Sequence, residues 1–231
     1  MVEQIKTGIK GLDTLLRGGF PKGNNILLAG TAGAGKSLFC LEYLYRGATE
    51  FNEPGVYVSL EERPEDIKKN VAFLGWDIDA LEKSKKIAFV KYEPFKTRDV
   101  FEYIDSVVRE IGAKRVVIDS ITVLTMTSRV DDPRAYIWSI GWNLKRIGCT
   151  TLFTCEVPPE KKNALSRDGY EEFMADGVIV LYYQRMGSSF TRNMAVWKMR
   201  GIDHDRKLHP YEISKTGINI YAEEEGLIEE K

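Results

Sequence analysis

The stretch GTAGAGKS, residues 30–37, sets glycines, a lysine and a serine at the spacing G-x-x-x-x-G-K-S. Such a loop turns its backbone N–H groups inward around phosphate oxygens. Lys36 would then reach the β and γ oxygens, and Ser37 would ligate Mg²⁺. Gly30, Thr31, Ala32, Gly33, Ala34, Gly35, Lys36, Ser37 and Leu38 are therefore candidate nucleotide-binding residues. A second group is RVVIDS (115–120), an apolar run closing on Asp119. A carboxylate at the carboxyl end of a buried strand can hold Mg²⁺, usually through water.

SLEERPED (59–66) supplies adjacent acids, Glu61 and Glu62, at the end of another apolar run. A carboxylate there can orient and deprotonate an attacking water. The plainer alternative makes Glu62, Glu65 and Asp66 surface acids that complement the dipole of a helix opened by Pro64. Lys198 and Arg200 stand two apart in the run RNMAVWKMRG. On a strand they share one face, while Trp197 and Met199 take the other. Two cations with no acid partner on that strand serve either solvent or a developing anionic charge.

These groups need a frame. NILLAG (25–30), GVYVSL (55–60), KIAFVKY (86–92), RVVIDS and CTTLFTC (149–155) are short and almost continuously apolar, as parallel strands covered on both faces should be. Amphipathic patterns over 98–111 and 133–147 predict helices between them. After residue 176 the rhythm changes to GVIVLYY (177–183), RNMAVWKMRG (192–201), HPYEIS (209–214) and GINIY (217–221), joined by polar, Gly-bearing turns. These read as antiparallel hairpins at one sheet edge. The fold class is therefore α/β, a mostly parallel sheet with helices on both faces and C-terminal antiparallel hairpins. No linker divides the chain, so residues 1–221 read as one domain and 222–231 as an acidic tail.

The balance of 33 basic against 34 acidic residues leaves a net charge of −1, so no global basic field draws nucleic acid or anionic membrane. Cys40, Cys149 and Cys155 have no paired spacing and suit buried thiols in a reducing compartment. With no signal-like leader and no membrane-length apolar run, the expectation is cytoplasmic. The two histidines lack the cysteine spacing of a zinc site.

TGIKGLDTLLRGGFPKGNNILLAGTAGAGKS, SLEERPEDI, VVIDS, EEFMADGVIVL and VWKMRGIDHD together resemble the single-domain members of the KaiC-like family, within the RecA-type ATPases. The resemblance spans about residues 5–221. It implies a RecA-like P-loop NTPase fold, with ATP and Mg²⁺ bound between neighbouring subunits of a ring, commonly a hexamer. It also implies that Glu61 is the water-activating base with Glu62 as companion. By the same resemblance Lys198 and Arg200 reach the neighbour's γ-phosphate, and His204 and Ser214 line the neighbour's nucleotide. The family's clock ATPase carries two such domains, one of them with adjacent hydroxyls before the strand matched here by GVIVL. This chain has Glu172 and Phe173 there, so autokinase activity at that site is not expected. Lys215 replaces an acid near the nucleotide, which leaves base or ribose contacts open.

The expected activity is hydrolysis of ATP to ADP and phosphate by a homo-oligomer. One alternative is an ATP-gated assembly module that presents a surface to a regulatory protein partner. Another is a recombinase-like ATPase stimulated by DNA at the loop 157–173, through Lys161, Lys162 and Arg167. Glu160, Asp168, Glu171 and Glu172 dilute that loop's positive field. Thr154 and Glu156 stand where a γ-phosphate sensor or a capping group would. Trp138 and Trp142, four apart, point to core or subunit contact.

Overall fold

The computed structural model describes residues 2–92, 100–127, 132–161 and 164–227. Positions 98–99 of the expected helix and Lys162 lie outside them. In chain order the elements begin with β1 (Gln4–Ile5), α1 (Leu12–Leu15), β2 (Phe20–Pro21), β3 (Asn25–Gly30), α2 (Lys36–Glu50) and β4 (Gly55–Ser59). Next come α3 (Pro64–Asn70), α4 (Ile78–Lys83), β5 (Ile87–Lys91), α5 (Val100–Ile111), β6 (Arg115–Asp119), α6 (Ile121–Thr127) and α7 (Pro133–Arg146). The chain closes with β7 (Thr150–Glu156), α8 (Glu171–Met174), β8 (Gly177–Met186), β9 (Ser189–Met199), β10 (Leu208–Ser214) and β11 (Gly217–Ile220).

Nine strands form one sheet in the order β11-β10-β9-β8-β3-β7-β6-β4-β5. Strands β8 to β5 in that order run parallel, and β9, β10 and β11 add antiparallel at one edge. The expected class and the placement of the hairpins both hold. Strand alternation sorts the apolar residues into two cores. Ile26, Leu28, Tyr57, Val117, Leu152 and Ile179 face the layer that contains α2, with Phe39, Leu41 and Leu44. Leu27, Val56, Val58, Val116, Ile118, Phe153 and Val180 face the layer of α5 and α7, with Ile104, Val108, Ile140 and Leu144. Both faces being dry, every residue of β3 and β4 is buried, which is why these runs lack polar alternation.

Arg115, at the amino end of β6, is fully buried. Its guanidinium binds the Glu53 carboxylate at 2.6 and 2.7 Å and donates to the Tyr43, Lys6 and Thr7 carbonyls. It also lies over the Tyr43 ring at 4.5 Å, so one side chain clasps the N-terminal segment, α2 and the sheet. A Cβ on Gly47 would meet this guanidinium at 2.4 Å, which explains a glycine inside α2. All three cysteines are buried and free. The backbone beyond β11 stays attached: Gly226 N donates to Leu208 O at 2.7 Å and Asn193 to Leu227 O at 3.0 Å. Among the described residues no helix is long and apolar enough to cross a membrane.

Candidate nucleotide site

The phosphate loop joins the carboxyl end of β3 to α2. Gly30 belongs there because a Cβ would lie 2.6 Å from the Leu181 carbonyl of β8. Gly35 opens α2 at φ 93°, in the left-handed region, and a Cβ there would strike Ile213 of β10 at 2.8 Å. The Lys36 ammonium donates to the Gly30 and Thr31 carbonyls at 2.9 and 3.1 Å, so the lysine lies along its own loop. The C-terminal strands support the loop from behind. Tyr211 donates its buried hydroxyl to Ala34 O at 2.5 Å, and Arg192 reaches Gly33 O at 3.4 Å from above the Tyr183 ring.

A cleft of about 330 Å³ opens beside the loop, lined by Ala32, Gly33, Gly35, Lys36, Ser37 and Leu38. Its other wall carries Ser59, Glu61, Glu62, Asp119, Ser120 and Glu156. The sheet therefore brings together the three groups expected from sequence: the loop, the Asp119 carboxylate and the paired acids. Gly30 and Thr31 line a neighbouring, largely apolar groove with Tyr182, Tyr183 and Phe190.

Asp119 is held by two hydroxyls: Tyr57 donates to Oδ2 at 2.5 Å, and Thr154 donates to Oδ1. Burial, and then the Asp119 charge, push the Tyr57 phenol well up, so it remains a protonated donor. Thr154 thus serves the carboxylate, and Glu156 lines the cleft. Tyr57 was not among the sequence candidates. Its only signal is a hydroxyl in mid-strand, between the apolar Val56 and Val58 and two residues before the carboxyl end of β4.

The paired acids behave differently. Glu61 accepts the Ser120 hydroxyl at 2.6 Å, one residue from Asp119. Glu62 turns towards Asn70, which donates to it at 3.0 Å. Burial, followed by repulsion from Asp119 and Glu61, holds the Glu62 carboxyl above its ordinary range. Ser37 and Asp119 offer only hard oxygen donors to one cleft, the set that suits Mg²⁺.

Lys198 and Arg200 lie elsewhere. Lys198 pairs with Val178, three residues before Leu181, whose parallel partner is Gly30. At strand rise this sets Lys198 about 10 Å towards the opposite sheet edge, beyond one intervening strand. Its ammonium donates to Glu172 O at 2.7 Å, and burial, then Arg200, lower its pKa. Arg200 lies past the end of β9 and approaches Asp176 at 4.0 Å, so it has an acid partner that sequence distance concealed.

The expectation that Trp197 and Met199 share a face fails. A register shift opposite Val178/Ile179 makes Trp197 the extra residue, 58% exposed, whereas Met199 is 3% exposed. Trp138 and Trp142 stack at 6.3 Å but are 55% and 49% exposed, so they are surface and not core. They line a pocket with Phe173, Lys145, Asp176 and Arg200. His204 and Ser214 join neither cluster: His204 lies against Asp205 O, and Ser214 closes the β10–β11 turn onto Thr216 and Gly217. Lys161 is folded onto Arg167 O of its own loop.

A family model described as "ATPase: KaiC" matches residues 5–225. The chain is 37% identical to a UPF0273 protein of Thermotoga maritima, over 98% of this chain and 99% of that protein. It is 35% identical to the circadian clock oscillator protein KaiC of Synechococcus elongatus, over 95% of this chain and 44% of that protein. A crystal structure of a KaiC-like protein from the hyperthermophilic archaeon Pyrococcus horikoshii matches with a TM-score of 0.86 and 41% identity, covering 96% of this chain and 100% of that one.

Proposed function

The chain belongs to the KaiC family of ATPases, and from that premise we propose that it is a Mg²⁺-dependent ATPase whose site is completed by a second copy of itself. The observation that carries this reading is the convergence of Lys36, Ser37, Asp119 and Glu61 on one cleft. Residues 1–221 act as one ATPase domain. The loop from Gly30 to Ser37, with Leu38, cradles the triphosphate, and the amino end of α2 adds its positive dipole. Ser37 and Asp119 would hold Mg²⁺, which when bound neutralises charge on the β and γ oxygens. Glu61, aligned by Ser120, accepts a proton from the attacking water, and Glu62 supplies the neighbouring charge.

Lys198 and Arg200 cannot serve the loop of their own subunit from the opposite sheet edge, which supports their action on a neighbour's γ-phosphate. Exposed Trp138, Trp142, Phe173 and Trp197 flank them, an apolar surface suited to a subunit interface. His204 and Ser214 are assigned, on family resemblance, to the rim of the neighbour's nucleotide. A head-to-tail contact of this kind closes into a ring, a hexamer in our reading. With Glu172 and Phe173 at the hydroxyl positions, hydrolysis is the output and autophosphorylation there is not.

Phosphate release from ATP tests the reading, with Mg²⁺ or a chelator and with Glu61→Gln protein as the blank. Turnover should need Mg²⁺, fall at least about 100-fold in Glu61→Gln, and rise per subunit with protein concentration as rings assemble. Concentration-independent turnover by a monomer would refute the shared site.

A further inference from the structure

Glu171 is a buried acid, 1% exposed, with no part in the chemistry described above. Its carboxylate accepts the Asp168 N–H at 3.2 and 3.3 Å and the Tyr170 N–H at 3.2 Å. The Cys155 thiol donates to it at 3.7 Å. Burial, then the Glu171 charge, push that thiol up to about 12, so it stays a protonated donor. A carboxylate surrounded only by donors is well satisfied, and it locks the turn from 168 to 171 onto β7. The next residue in the chain carries the consequence. The Glu172 carbonyl accepts Lys198 Nζ at 2.7 Å, while Ser166 binds both the Glu172 carboxylate and the Gly169 N–H.

We infer that Glu171 is a positioning residue for Lys198: by fixing the 168–172 turn it sets the Glu172 carbonyl that holds the lysine ammonium in place. The inference rests on the reading of Lys198 as a cation that acts on the neighbour. Glutamine is not a neutral replacement: with its carbonyl kept on the Asp168 and Tyr170 N–H groups, its NH₂ takes the place of the other oxygen and faces the Asp168 N–H and the Cys155 thiol, two donors.

The test compares the assembled full chain with Glu171→Gln, Lys198→Ala and the double variant. Phosphate release gives kcat and KM, and mass spectrometry reads labelling of Lys198 by an amine-reactive reagent. Glu171→Gln should lower kcat about 10-fold with KM for ATP within about twofold, as expected for a misplaced group outside the binding pocket. Lys198 labelling should rise, and the double variant should be no slower than Lys198→Ala. Ser166→Ala loosens the same turn from its other side and should move both readouts in the same direction, which covers a Glu171 variant that fails to fold. Unchanged kcat and labelling in Glu171→Gln, or losses that multiply in the double variant, would overturn the inference while Lys198 kept its role. Full turnover in Lys198→Ala would remove the trans cation, and this inference with it.

Discussion

Mixing two inactive variants gives a quantitative test of the shared site. Glu61→Gln removes the base from a subunit's own cleft and leaves its Lys198 intact. Lys198→Ala does the reverse, because Lys198 lies at the other sheet edge, level with Val178 and not with Leu181. Each variant alone should lose at least about 100-fold in kcat, given what general bases and trans cations contribute. In a random mixture a site works only when its cleft comes from a Lys198→Ala subunit and its cation from a Glu61→Gln subunit. At equal amounts each condition holds for half the sites, so turnover should recover to about a quarter of wild type for any ring size. The curve against mole fraction is a symmetric parabola, vanishing at both ends. The assay is steady-state phosphate release after co-assembly from dissociated subunits. A flat line at the level of the single variants, in rings shown to contain both, would refute catalysis across the interface.

Three further outcomes follow from the packing. Arg115→Met should strand Glu53 and the carbonyls of Lys6, Thr7 and Tyr43, costing about 3–5 kcal/mol and lowering the melting midpoint by about 10 °C; a midpoint unchanged in calorimetry would contradict the clasp. Tyr211→Phe leaves Ala34 O without its donor, so stability should fall by about 1–2 kcal/mol and nucleotide affinity should fall with it, both read from melts with and without ATP. Glu62 has a raised pKa in the folded chain, so its stability contribution is full below the ordinary glutamate pKa and is lost as pH rises through the folded value. Glu62→Gln should therefore gain on wild type as pH rises above the ordinary glutamate range, and a melting difference independent of pH would count against it.

Much of this was legible locally. The loop from Gly30 to Ser37 and the buried runs ending at Ser59 and Asp119 carry their own spacing. Their destinations follow because a buried parallel strand can deliver its last residues only to the carboxyl edge of the sheet. The hairpins after residue 176 were equally plain, since period and turn chemistry are short-range signals. The family likeness of the whole chain was legible too, because it rests on motifs and not on geometry.

Tertiary structure decided the contacts between residues far apart in the chain. Tyr57 became the support of Asp119 across 62 residues, and Tyr211 the support of Ala34 across 177. Glu61 separated from Glu62 only because Ser120 and Asn70 approach from different sides. One inserted residue at Trp197 reversed the side of the strand it faces, which no alternation count detects because a bulge depends on the partner strand. Trp138 and Trp142, apolar enough for a core, stayed on the surface because Ile137, Ile140 and Leu144 already occupy the face of α7 turned to the sheet. Residue type and spacing determine which groups can do chemistry; which partner each one meets depends on the packing of two cores against one sheet.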